Sequence, residues 1–120
     1  MAHVLLVEDN PDTLRSIEKV LRSLSHSVET ASNGKEGVTL LKEKAYDLVV
    51  TDLLMPGGTG FEVLEWIKGH PQTIPVLICS AYAKPASLKT LMGKHPYILV
   101  IKPFRPEDLG GAVTDLLRKP

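Results

Sequence analysis

The 120-residue chain has 43% hydrophobic and 23% charged residues and a formal net charge of 0. These values fit one globular domain that buries roughly two-thirds of its unfolded surface, and they exclude a disordered chain. They also lack the basic excess on which phosphate-backbone binding depends, so direct nucleic-acid contact by this segment is not expected.

The first apolar run, His3–Val7, predicts a strand, and its core Val4-Leu5-Leu6-Val7 is continuously apolar. Asn10 with Pro11 behind it gives an N-cap and a first helical position. Leu14, Ile17, Leu21 and Leu24 then make one helical stripe. Ser27–Ala31 is a more polar strand, expected at a sheet edge. Asn33 followed by Glu36 resembles a capping box and opens a second helix that buries Val38 and Leu41. Asp47–Thr51 is a third strand. Phe61, Leu64 and Ile67 form the stripe of a third helix, ended by Gly69-His70-Pro71, with Trp66 packed on it or bordering its exposed face. Pro75–Cys79 is a fourth strand, and Leu88, Leu91 and Met92 mark a short fourth helix. Tyr97–Ile101 is a fifth strand. Pro106 opens a fifth helix with Leu109, Val113 and Leu116 inward, weakened by Gly110 and Gly111 at up to ~1 kcal/mol each relative to Ala.

Strands that are continuously apolar are buried on both faces, as in a parallel sheet covered by helices. Five strands, each followed by a helix, make an α/β chain of (βα)5 type. With right-handed crossovers this is a doubly wound five-stranded parallel sheet in one domain, residues 1–120. Ligands of such sheets bind outside the carboxyl ends of the strands. There the sequence places Glu8-Asp9, Asp52, Ser80 and Lys102. Taken singly, each has an ordinary reading as helix cap, loop cap, loop hydroxyl or solvated lysine. Taken together, at the same end of successive strands, they point to a site. Clustered carboxylates repel, and a hard divalent cation removes the problem, so all-oxygen ligation favours Mg²⁺ or Mn²⁺. A carboxylate beside such an ion can take up a phosphoryl group as an aspartyl phosphate. Asp52, on the central strand, is the expected nucleophile. Asp9 is the expected direct metal ligand, Glu8 acts through a water, and Lys102 and Ser80 meet phosphoryl oxygens.

These residues also carry a family resemblance. Val4-Leu5-Leu6-Val7-Glu8-Asp9-Asn10-Pro11, the run Asp47–Pro56 with Gly60 after it, Ser80-Ala81 and Lys102-Pro103-Phe104 occur in order and at matching spacing. The chain resembles, from His3 to Leu117, the receiver domain of two-component response regulators, the fold shared with the chemotaxis regulator of that family. The resemblance implies a flavodoxin-like receiver fold with strand order 2-1-3-4-5. It makes Asp52 the phosphoacceptor in a phosphorelay. Asp9, Asp52 and the backbone carbonyl of Leu54 hold Mg²⁺, with Glu8 bound through water. Lys102 pairs with the phosphoryl group, Ser80 is the switch hydroxyl, and the Lys102-Pro103 bond is cis. The expected donor is a sensor histidine kinase or a histidine phosphotransfer domain. The expected output surface is the fourth helix, fifth strand and fifth helix. Such a receiver catalyses only its own phosphorylation and dephosphorylation.

Several positions depart from the pattern. Leu99 stands where receivers commonly carry an aromatic coupled to the switch hydroxyl, and Tyr97, on the same face if the strand alternates, is not expected to replace it. Leu54, two residues after Asp52, predicts slowed self-dephosphorylation. Tyr82 lies beside the expected site, and the Gly57-Gly58-Thr59-Gly60 loop is glycine-rich. Competing activities fit less well. A haloacid dehalogenase type phosphatase usually has an aspartate at the position of Leu54. A flavodoxin-like cofactor carrier needs a Ser/Thr-rich phosphate loop where Glu8-Asp9-Asn10-Pro11 stands. A docking-only receiver would not need the full acidic set. His3, His26, His70 and His95 lack paired ligand spacing. Cys79, the single cysteine, has no partner for a disulfide and is expected to be an inert buried thiol. No apolar run reaches the ~20 residues of a membrane helix, and no signal-peptide pattern is present, so a cytoplasmic domain without membrane contact is expected.

Overall fold

A computed structural model describes residues 1–53, 55, 60–70, 73–81 and 84–118. Strand β1 (His3–Val7) leads into helix α1 (Pro11–Ser23), then β2 (Ser27–Ala31), α2 (Gly34–Glu43), β3 (Leu48–Thr51), α3 (Gly60–Lys68), β4 (Val76–Ser80), α4 (Pro85–Met92), β5 (Tyr97–Ile101) and α5 (Pro106–Arg118). The strands form one sheet in the order β2-β1-β3-β4-β5, with every neighbouring pair parallel. β3 is therefore central, and the polar run Ser27–Ala31 lies at an edge, as its composition predicts.

Alternation along each strand divides the core in two. Val4, Leu6, Leu48, Val50 and Leu77 face α1 and α5, where Ile17, Leu21, Leu109, Val113 and Leu116 close over them. Leu5, Val7, Val49, Val76 and Ile78 face α2, α3 and α4 and meet Leu41, Val63, Leu64, Ile67, Leu88 and Met92. Burial of such side chains stabilises by about 1.5–3 kcal/mol each. Both faces of β1, β3 and β4 are covered, which is the physical reason those strands carry no polar alternation.

The helix starts follow local chemistry. Asn10 accepts from the Thr13 N–H at 3.0 Å with Pro11 in the first turn, and Asn33 accepts from the Glu36 N–H at 2.8 Å. The Glu36 carboxylate reaches back past the cap to the Ser32 hydroxyl, 2.9 Å. Gly93, at φ 56°, ends α4 in a conformation that side-chain-bearing residues rarely adopt.

Two stripe assignments differ from expectation. Leu24 is 39% exposed because α1 ends at Ser23 and Leu24 is already its C-cap. Phe61 is also 39% exposed, and Val63 takes the inward place beside Leu64 and Ile67. The third and fourth strands begin one residue later than expected, at Leu48 and Val76 (Pro75 has no N–H to add to the ladder), and the fourth runs on to Ser80, which pairs in register with Ile101. No helix among the described residues is long and apolar enough to cross a membrane.

Candidate functional site

The sheet register sets the site. β1 ends beside β3, and the Asp52 N–H donates to the Val7 carbonyl at 3.1 Å, so the chain leaves both strands at the same level. β4 and β5 end together, where the Lys102 N–H donates to the Ser80 carbonyl at 3.0 Å. Glu8, Asp9, Asp52, Ser80 and Lys102 are thereby brought to one edge, as the sequence predicts. The Lys102-Pro103 peptide is cis. Leu54, Tyr82 and the loop 56–59 lie outside the described residues.

One carboxylate oxygen from each of Glu8, Asp9 and Asp52 lies within 4.8 Å of the others. Asp9 is exposed, whereas Glu8 is 2%, Asp52 9% and Ser80 1% exposed. The Lys102 ammonium donates to Glu8 Oε1 at 2.7 Å and to Asp52 Oδ2 at 2.9 Å. The other Glu8 oxygen accepts from the Asn10 N–H at 3.1 Å, and Asp52 Oδ1 accepts from the Leu53 N–H at 2.6 Å. Burial pushes the Glu8 carboxyl above its ordinary range, with Lys102 as the main opposing influence. Burial also opposes the Lys102 charge, but its hydrogen bonds to Glu8 and Asp52 prevail and hold its pKa above the usual lysine value.

Three carboxylates against one ammonium give the cluster a formal charge of −2. A hard dication with oxygen ligands would balance that charge, and the donor set fits Mg²⁺ or Mn²⁺. The Lys102–Glu8 pairing spans 94 positions and could not be read from the sequence. Its only signal was an ammonium at the end of an apolar strand.

The remaining sequence candidates lie elsewhere. Burial pushes the Cys79 thiol up to about 12, which keeps it a protonated core side chain. Trp66 stacks on His70 at 3.6 Å, toward the end of α3 opposite Gly60 and the acidic edge. His3 pairs with Glu29, His26 accepts from the Ala2 N–H, and His95 contacts the Ile74 carbonyl, so none of these three joins the site. Tyr97 pairs with Val76, four register positions before Ser80 meets Ile101, or about 13 Å along the strand. Tyr97 and Leu99 pack against the same cluster. Tyr97 is on the expected face but far from the Ser80 hydroxyl.

Residues 4–114 match the family model described as the response regulator receiver domain. The chain is 33% identical over 116 residues to the cell cycle response regulator CtrA of Brucella ovis, covering 97% of this chain and 50% of that protein. It thus spans about half the length of the curated relatives it matches. Among solved structures, it is similar to the signal receiver domain of a signal transduction histidine kinase from Syntrophus aciditrophicus. That match has TM-score 0.82 and 30% identity, over 100% of this chain and 96% of that one. It is also similar to chemotaxis protein CheY4 of Vibrio cholerae, with TM-score 0.83 and 27% identity over 98% and 99% of the two chains. The order of the strands, the acidic edge and these matches agree: the chain belongs to the response regulator receiver domain family of two-component signalling.

Proposed function

We propose that Asp52 accepts a phosphoryl group from a phosphohistidine on a sensor histidine kinase or histidine phosphotransfer domain. The observation that carries this reading is the position of Asp52. It ends the central strand, with Oδ2 2.9 Å from the Lys102 ammonium and a carboxylate oxygen within 4.8 Å of Glu8 and Asp9.

In the transfer, an Asp52 oxygen forms the new O–P bond as the P–N bond to the donor imidazole breaks. The imidazole nitrogen keeps the electron pair. Lys102 exchanges Asp52 Oδ2 for a phosphoryl oxygen while staying paired with Glu8, so positive charge is in place before the phosphoryl arrives. Ser80 supplies a hydroxyl from the next strand. Asp9 and Asp52, with the Leu54 carbonyl, would hold Mg²⁺ or Mn²⁺ directly, Glu8 would hold it through water, and the ion neutralises phosphoryl oxygens when bound.

The acyl phosphate carries about two negative charges where the Asp52 carboxylate carried one, so an edge already rich in carboxylates gains about one more. That shifts the balance between two conformations of the loops after β3, β4 and β5, and the α4–β5–α5 face changes its affinity for an output partner. This domain catalyses only its own phosphorylation and dephosphorylation and makes no nucleic-acid contact itself. Leu54 puts an apolar residue type two positions after Asp52, which is expected to slow attack by water, so Leu54→Asn should shorten the phosphoryl half-life.

The test is incubation with phosphoramidate and Mg²⁺, read by intact mass. One added phosphoryl is expected, and none with EDTA or in Asp52→Asn. Unchanged mass in the wild type, or full uptake by Asp52→Asn, overturns the reading.

A further inference from the structure

Among the described residues the buried polar and charged side chains are Glu8, Thr51, Asp52 and Ser80. All but Thr51 belong to the acidic edge. Thr51 is completely enclosed, at 0% exposure, and has no part in the chemistry proposed above. Its place in β3 does not account for it. Val49 and Val50 precede it, and its register partners are Val7 and Ile78. Valine shares the shape and the strand preference of threonine and has no hydroxyl to bury. A hydroxyl in the centre of the sheet therefore calls for a partner that valine could not serve.

That partner is the phosphoacceptor's own backbone. Thr51 Oγ1 donates to the Asp52 carbonyl at 2.8 Å. The same oxygen lies against the start of α3, where a Cβ on Gly60 would sit 1.7 Å from it. The hydroxyl and the helix start thus both restrict where this carbonyl can point. The peptide joining Asp52 to Leu53 is a rigid trans plane with its C=O and N–H on opposite sides. Holding the carbonyl therefore also aims the Leu53 N–H. That N–H donates to Asp52 Oδ1 at 2.6 Å, shorter than is usual for an amide donor. Hydrogen bonds in series polarise one another, so the Thr51 donation strengthens the Leu53 N–H as well.

The Asp52 carboxylate is thus oriented from two directions. Lys102 holds Oδ2 at 2.9 Å, and a relay of hydroxyl, carbonyl and amide that begins at Thr51 holds Oδ1. During transfer Lys102 exchanges Oδ2 for a phosphoryl oxygen. The relay does not have to let go at that stage, and it keeps the carboxylate aimed while the O–P bond forms.

We infer that Thr51 is a positioning residue for phosphoryl uptake: its hydroxyl, acting through the Asp52 carbonyl and the Leu53 N–H, fixes the carboxylate in the orientation from which it attacks. The inference rests on Asp52 as the phosphoacceptor. Thr51 forms no bond to phosphorus and acts only through its neighbour.

Two variants test it. Thr51→Val keeps the shape and removes the hydroxyl, and Thr51→Ser keeps the hydroxyl. Phosphoramidate uptake at saturating Mg²⁺, followed by intact mass, should show a maximal rate roughly tenfold lower in Thr51→Val. The half-saturating phosphoramidate concentration should change little. Thr51→Ser should recover most of the rate. In proton–nitrogen correlation NMR spectra without phosphodonor, the Leu53 amide proton should lie far downfield in the wild type and in Thr51→Ser. It should move upfield in Thr51→Val, a signature that lost stability alone does not produce. Equal maximal rates in wild type and Thr51→Val, a Thr51→Ser as slow as Thr51→Val, or an unmoved Leu53 amide overturns the positioning role and leaves Asp52 as the phosphoacceptor. A wild type that takes up no phosphoryl overturns the phosphoacceptor reading instead, and the positioning role with it.

Discussion

Lys102 has the most demanding position of any single residue in this molecule. Its ammonium lies between Glu8, whose side chain is 1% exposed, and Asp52 at 11%, while its own side chain is 20% exposed. Removing one partner of a buried ion pair leaves the other charge unsolvated, a loss of about 3 kcal/mol for a pair with this much residual solvent. Lys102→Met should therefore lower unfolding free energy by that amount near neutral pH without divalent cations. The sign of the pH dependence follows from Glu8. Burial already holds its folded pKa above the unfolded value, and Lys102 is the main influence pulling it down. In the variant the folded pKa rises further. A raised folded pKa contributes stability below the unfolded pKa that is lost as pH rises through the folded one. The deficit of Lys102→Met should thus be small in mild acid and grow toward neutral pH. Urea unfolding at several pH values measures it, and a pH-independent deficit would contradict the assignment. The sequence showed that Lys102 belongs to the site because a charge ended an apolar strand. Which carboxylates it bridges depends on how the first and last strands are ordered in the sheet, and no local pattern encodes that.

Among the elements, α3 shows how tightly the site is joined to a helix. The Gly60 N–H donates to the Leu53 carbonyl at 2.9 Å, and a Cβ at Gly60 would sit 1.7 Å from the Asp52 carbonyl oxygen. Only glycine lets the helix begin this close to the strand end. Gly60→Ala must displace the backbone of Asp52, and it should cost about 2–3 kcal/mol in urea unfolding and slow phosphoryl uptake. Gly111→Ala, in open space, should instead leave stability unchanged or raise it. Equal effects at the two positions would contradict the close-approach argument. The elements were largely legible because each follows local rules: caps at Asn10 and Asn33, continuous apolarity in the strands, and prolines at Pro11 and Pro106 where helices begin. The errors have local causes too. Spacing alone continued the α1 stripe to Leu24, although the helix had ended. In α3 the Phe61 stripe and the Val63 stripe overlap, and contact with α2 and the sheet, not periodicity, chose Val63.

For the whole molecule, parallel order makes strand ends meet, and that gathers residues from positions 8 to 102 into one acidic edge. This convergence was legible in the sequence because right-handed crossovers leave few arrangements of a (βα)5 chain. The depth of burial was not, and it distinguishes a nearly enclosed Glu8 from an exposed Asp9. The formal charge of −2 at this edge also predicts a global response. Mg²⁺ at a hundred times its Kd should stabilise the fold by about 2.7 kcal/mol, a rise in Tm on the order of 10 °C. Asp9→Asn should lose most of that rise in a thermal scan. The measurement that bears most directly on the phosphoacceptor is borohydride reduction after phosphoramidate and Mg²⁺, followed by peptide mapping. Reduction of an acyl phosphate leaves an alcohol in place of the carboxyl, so residue 52 should appear as homoserine, with Glu8 and Asp9 unchanged. Conversion at Glu8 or Asp9 instead, or no conversion in protein shown by mass to be phosphorylated, would contradict the account.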